Sequence, residues 1–180
     1  MRERAHGFTL IEAIVCLAVA SLLFGVAIPV CSSALARADA SAARAALLSS
    51  LTEAIHHSAL TGTEVVLCPG SRSGCRNSFD WSGGWIAYAD IDGNRRRGAH
   101  ETLLRTQRPL SDRVRLLTST GRRRLVFQPT GGNAGSNATF TLCDERGLEA
   151  AVTLVLSNGG RLRAAKASRG RARQCRAAMR

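Results

Sequence analysis

The chain has 180 residues, 45% of them apolar and 4% aromatic, and a formal net charge of +12. That length holds one domain with a proper core and is short for two. The composition excludes a globally disordered chain.

The amino end, residues 7–16, reads GFTLIEAIVC. From Phe8 to Ala36 the only formal charge is Glu12. The stretch 13–36 is long enough to cross a hydrocarbon core of about 30 Å. A secretory signal would carry a shorter apolar run with small residues after it; here Gly7 lies before the run, so a cut there keeps the apolar segment. Arg2 and Arg4 hold the start on the cytoplasmic side, which places the remainder outside the cytoplasm. A carboxylate at the depth of Glu12 costs several kcal/mol. Glu12 either snorkels to the interface or pairs with a positive group on a neighbouring subunit, such as a free amine at Phe8.

Residues 8–60 read as one helix of about 80 Å at 1.5 Å per residue. Beyond the apolar part, Leu35, Ala38, Ala42, Ala45, Leu48, Leu51, Ile55 and Ala59 recur at steps of three and four, which predicts a buried stripe on one face. Pro29 inside the helix bends it or loosens one turn. After Gly62 come short β-like runs at 63–69, 84–90, 113–118, 123–129, 138–144 and 149–157, with a further strand at 161–165. Residues 129–137 read as a flexible loop. Short connections favour antiparallel pairing. The expected fold is α+β: one long helix with a mainly antiparallel sheet packed on its carboxyl half.

The string GFTLIEAIVCLAVASLLF at 7–24 resembles the class III signal segment of type IV pilins and type II secretion pseudopilins, through Gly7, Phe8, Thr9, Leu10 and Glu12. The resemblance implies a type IV pilin-like fold. It implies that a prepilin peptidase cuts between Gly7 and Phe8 and methylates the new terminus. Glu12, then the fifth mature residue, would recruit and register the subunit among other pilins or pseudopilins. The implied organisation is a leader at 1–7, a helix at 8–60 that crosses the inner membrane once at about 8–30, and a periplasmic β-rich domain at 61–180. The segment 81–105 resembles the signature of the GspH/FimT branch. Trp81, Gly84, Trp85, Asp90, Asp92 and Gly93 match, but Arg95, Arg96 and Arg97 occupy positions where that branch carries acids and asparagine.

Candidate sites follow from residue types. The turn DIDGN at 90–94 invites comparison with a calcium loop, yet three arginines beside Asp90 and Asp92 would repel a cation. A tight turn satisfied by the aspartate side chains is expected instead, with no metal and no other cofactor. Cys16 and Cys31 lie in or near the apolar stretch and act as small apolar residues. Cys68, Cys75, Cys143 and Cys175 lie where disulfides persist. Pairing Cys68 with Cys75 and Cys143 with Cys175 is favoured among three connectivities. A zinc site is disfavoured because no C-x2–4-C pair occurs. No catalytic set is recognisable; the chain is a peptidase's substrate rather than an enzyme.

From Gly159 to Arg180 there are eight Lys and Arg residues and no acid. Such a segment either keeps the protein soluble or binds a polyanion. Arginine forks match phosphates, and the scarcity of aromatics argues against base stacking, so binding to DNA would be through the backbone without sequence preference. In FimT members that serve natural transformation, a Gly-Arg-x-Arg motif contacts DNA. GRLR at 160–163 fits it and GRAR at 170–173 repeats it. The candidates are Arg161 and Arg163, then Lys166, Arg169, Arg171 and Arg173, in a loop pinned between Cys143 and Cys175. The expected function is that of a minor pilin that binds DNA for uptake. The alternative is a structural minor pseudopilin of a type II secretion system with no DNA role.

Overall fold

A computed structural model describes residues 9–135 and 137–179. Helix α1 runs from Leu10 to Thr61 and contains Pro29. The chain divides into two compact units, residues 1–35 and 36–180. In the first, α1 is long and apolar enough to cross a membrane, and Leu22, Leu23, Phe24, Val26 and Ile28 all lie exposed.

Among the described residues, the second unit contains the rest of α1, nine strands and a short carboxyl-terminal helix. Strands β1 (Glu64–Ser71), β2 (Gly74–Cys75), β3 (Trp85–Asp90), β4 (Leu103–Gln107) and β6 (Leu125–Phe127) form one sheet, ordered β2-β1-β3-β4 with β6 also on β1. Strands β5 (Val114–Thr118), β7 (Ala138–Asp144), β8 (Val152–Leu156) and β9 (Leu162–Lys166) form a second, ordered β5-β7-β8-β9. Every strand pair is antiparallel. The fold is the expected α+β, with two sheets in place of one.

One core joins all three layers. It gathers Leu47, Leu51 and Ala54 of α1, Val65, Leu67 and Trp85 of the first sheet, and Leu116, Phe140 and Leu154 of the second. Trp81 packs edge-on to Phe140, with ring centroids 5.1 Å apart. Gly84 is required by geometry: its φ is +92°, and a Cβ there would lie 2.5 Å from the Gln107 carbonyl oxygen.

The helix buries a different stripe from the one expected. The buried positions are Ala36, Ala40, Ala43, Leu47, Ser50, Leu51, Ala54 and Ser58, whereas Leu35, Ala38, Ala42, Ala45 and Ala59 are exposed. The two serines decide the phase. The Ser50 hydroxyl accepts from Trp85 Nε1 at 2.9 Å, and the Ser58 hydroxyl donates to the Phe127 carbonyl at 3.0 Å. Each satisfies a polar group that burial would otherwise leave unpaired. A stripe read from apolar residues alone misses that benefit.

Three further segments differ from expectation. The run 149–157 opens with a 3-10 turn, Leu148–Ala150, before β8 begins. Residues 129–135 are tied down rather than free: Asn133 bridges Phe127, its amide reaches the Asn158 carbonyl at 2.7 Å, and the Ala134 amide reaches the Val126 carbonyl at 2.8 Å. The carboxyl end forms helix α2, Arg169–Ala177, capped by the Ser168 side chain.

Candidate functional site

Among the described residues, strand β9 is an edge of the second sheet, paired with β8 alone. Leu162 packs against the core. Side chains alternate along a strand, so Arg163 faces the other way, while Arg161 lies one residue before β9 in the turn that enters it. Both are exposed, and among the described residues neither guanidinium has an ion pair. The turn before them closes through the Arg161 amide on the Ser157 hydroxyl at 3.1 Å and the Ser157 amide on the Arg161 carbonyl at 2.9 Å.

The remaining basic candidates do not continue that row. Lys166 pairs with Glu149, whose carboxyl is held below its ordinary pKa by the ammonium. Arg169 and Arg173, one helical turn apart, line a recess with Leu148, Glu149 and Lys166. Arg171 lies on another side of α2, with Gln174, against Thr118, Thr120 and Thr141. The expected pinned loop is instead β8, β9 and most of α2. Cys143 is bonded to Cys175 with Cα atoms 6.1 Å apart, and Ala172 and Cys175 pack on Leu117 and Ala151. Arg176 adds a hydrogen bond to the Asp144 carbonyl at 2.9 Å. A helix this basic holds because its one apolar face is covalently anchored to β7.

The second disulfide joins Cys68 to Cys75 across the β1–β2 hairpin. Cys16 and Cys31 are free and exposed. Glu12 is exposed near the start of α1, its amide facing the Thr9 hydroxyl at 3.4 Å. Gly7 and Phe8 lie outside the described residues.

The turn after β3 is closed by side chains, as its aspartates suggest. The Arg95 amide donates to both Asp90 oxygens at 3.1 Å, the Asn94 amide to Asp92 at 3.1 Å, and the Arg96 amide to Asn94 Oδ1 at 2.6 Å. The arginines do not crowd these acids as expected. Arg95 turns to Glu64 at 3.6 Å and Arg97 to the Arg72 carbonyl. Burial raises the Asp90 pKa despite the Arg95 amide.

A second basic surface was not foreseen. Arg95, Arg122, Arg123 and Arg124 line a cleft of about 650 Å³ with Asn77, Asn94 and Thr120. The signal was present as two arginine triplets, 95–97 and 122–124, and only the fold brings Arg95 of the first beside the second.

A model of the family described as "Type II transport protein GspH" matches residues 43–160, about two thirds of the chain. The chain belongs to the GspH family. A second model, the prokaryotic N-terminal methylation motif, matches residues 2–28 of this GspH-family chain. Together they make it a minor pilin or pseudopilin, processed by a prepilin peptidase and assembled with other pilins, with an apolar helix suited to an inner-membrane anchor. Among solved structures, the type IV minor pilin FimU of Pseudomonas aeruginosa is similar at a TM-score of 0.57 and 15% identity, covering 74% of this chain and 92% of that one. The minor pseudopilin EpsH from the type 2 secretion system of Vibrio cholerae is similar at a TM-score of 0.51 and 11% identity, covering 71% and 97%. These likenesses show a shared fold. No curated protein sequence matches the chain.

Proposed function

We propose that this GspH-family protein is a minor pilin that binds DNA non-specifically through its carboxyl-terminal basic surface and serves DNA uptake. The observation that carries this reading is the pair Arg161 and Arg163. They are exposed, unpaired by acids and two residues apart, Arg163 on the outward side of an edge strand and Arg161 just before it, about 6.7 Å along the chain. Two guanidiniums so placed reach neighbouring phosphates. Arg169, Arg171 and Arg173 add charge on α2, and the ordered helix lowers the entropy lost on binding. Lys166 contributes less because Glu149 engages it.

The remaining elements of the proposal concern assembly. The peptidase cuts after Gly7, Phe8 becomes the methylated terminus, and Glu12 pairs with the amine of a neighbour. The leader is 1–7, the membrane segment about 8–30, and the domain 61–180 faces the periplasm. The chain performs no catalysis of its own.

The DNA reading is tested by titrating the full chain in detergent with duplexes of unrelated sequence at several salt concentrations. Similar affinities are expected, with log K falling about 0.9 per phosphate contact for each tenfold rise in salt. No binding even at about 50 mM salt would remove DNA from the proposal. The second reading, a structural pseudopilin of a type II secretion system, is favoured by the description of the matched family as a type II transport protein. A deletion that stops secretion and leaves DNA uptake intact would select it.

A further inference from the structure

The connection from β3 to β4 has the register of a calcium loop. In the twelve-residue EF loop, ligands come from positions 1, 3, 5 and 12, from a backbone carbonyl at 7, and at 9 often through water. Counting from Asp90, position 3 is Asp92, position 5 is Asn94 and position 12 is Glu101. Position 6 of the EF loop is a glycine because the chain turns sharply there. Here it is Arg95, the one described non-glycine residue with positive φ, at 58°. One carboxylate oxygen from each of Asp90, Asp92 and Glu101 lies within 4.8 Å of the other two. Oxygens bound to one calcium at 2.3–2.6 Å are separated by at most about 5 Å, so the three can share an ion.

A second observation points to a ligand here. The Tyr88 hydroxyl is fully buried and has no hydrogen-bond partner among the described residues. Tyr88 and Asp90 alternate to the same side of β3. Burial first, and then the charges of Asp90, Glu101 and Asp92 against that of Arg124, hold the hydroxyl in its protonated, donating form. A buried hydroxyl donor left unpaired is costly. A water in the coordination sphere of an ion held by these carboxylates would satisfy it. Two of the three carboxylates are themselves buried, Asp90 at 3% exposure and Glu101 at 6%. Backbone amides reach them, Arg95 on Asp90 and Ile91 and Gly98 on Glu101, but two buried carboxylates this close still repel when both are ionised, and a cation would relieve that.

We propose that residues 90–101 bind one calcium ion, with Asp90, Asp92, Asn94 and Glu101 as side-chain ligands and the Arg96 carbonyl as the backbone ligand. The neighbouring arginines lower its affinity without blocking it. Arg95 is directed to Glu64, Arg97 to the Arg72 carbonyl and Arg124 to the Arg95 carbonyl, while Arg96 is exposed. Affinity therefore belongs at the weak end, about 10⁻⁴–10⁻³ M, where extracellular modules lie. The multidentate carboxylate and carbonyl oxygen set suits calcium over magnesium, which keeps its waters. The ion would close β3 onto β4 beside the cleft formed by Arg95 and Arg122–Arg124. The site does not depend on DNA binding.

The test uses the full chain in detergent, stripped with chelator and titrated with calcium by calorimetry. One ion per chain is expected, with a thermal midpoint higher by roughly 3–6 °C at about 10 mM calcium and a smaller rise with magnesium. Asp92→Asn removes an exposed ligand, so it should fold normally and lose at least tenfold in affinity. Glu101→Gln should lose the calcium response altogether. Absence of calcium binding at about 10 mM would overturn the proposal, as would a midpoint shift equal for magnesium and calcium. So would an Asp92→Asn chain that binds calcium like the wild type.

Discussion

Trp85 of the first sheet donates its indole N–H to the Ser50 hydroxyl of α1 across 2.9 Å, and both groups are buried. Ser50 in turn donates to the Ala46 carbonyl at 2.8 Å. The helix is thus registered on the sheet by a hydrogen bond as well as by apolar packing. Ser50→Ala keeps the volume nearly unchanged but leaves the indole N–H unpaired. The expected loss is about 1–3 kcal/mol in urea unfolding, with an unchanged m-value. A variant as stable as the wild type would show that the bond contributes nothing.

Gly84 precedes Trp85 in a backbone conformation that side chains rarely adopt, against the Gln107 carbonyl. Gly84→Ala should therefore cost more than the usual surface change, about 1–3 kcal/mol from strain, and push β4 away from β3. Hydrogen exchange at the Gln107 and Trp85 amides would report the displacement. Unchanged protection there would argue against the close approach.

The Cys143–Cys175 bond closes a span of 32 residues and holds α2 on β7. Cys143→Ala/Cys175→Ala should lower stability by about 2–4 kcal/mol. Amide exchange should rise first in Arg169–Ala177, because Ala172 and Cys175 are the buried residues of that helix. Strands β1 and β2, joined by the Cys68–Cys75 bond, should keep their protection. Equal loosening of both sheets would contradict a local anchoring role.

Much of this was legible in the chain, and what was not has physical causes. The long helix, the run 138–144 and the α+β class follow from patterns a few residues wide. The phase of the helix stripe does not, because alanine is neutral to burial and the deciding residues, Ser50 and Ser58, are polar. Helix α2 was unreadable because its apolar face is only Ala172 and Cys175, held in place by the bond to Cys143. At the acidic turn the aspartates signalled a side-chain-closed turn. Glu101, eleven residues from Asp90, escaped notice, and the arginines between them look obstructive until their side chains are seen to leave for Glu64 and the Arg72 carbonyl. For the basic segment, Arg161 and Arg163 stayed exposed, but Lys166 was taken by Glu149 and the α2 arginines were divided between two sides.

Glu12 is exposed in this chain and meets no basic partner among the described residues. If it pairs with a neighbouring subunit's amine, Glu12→Ala should leave the unit 36–180 folded and reduce incorporation into filaments. The check is circular dichroism of the purified variant beside immunoblots of sheared filaments. Normal incorporation would contradict the pairing. Amino-terminal sequencing of the assembled chain should begin at a methylated Phe8.

The most direct test of the DNA-binding claim is the double variant Arg161→Ala/Arg163→Ala, titrated against unrelated duplexes at several salt concentrations beside the wild-type chain. The account predicts weaker binding by a similar factor for every sequence, a salt slope smaller by roughly one unit per lost contact, and unchanged thermal stability. Cells carrying the variant should take up less DNA. Equal affinity and slope for the two proteins, with normal uptake, would contradict it and leave the basic edge strand as a solvated surface.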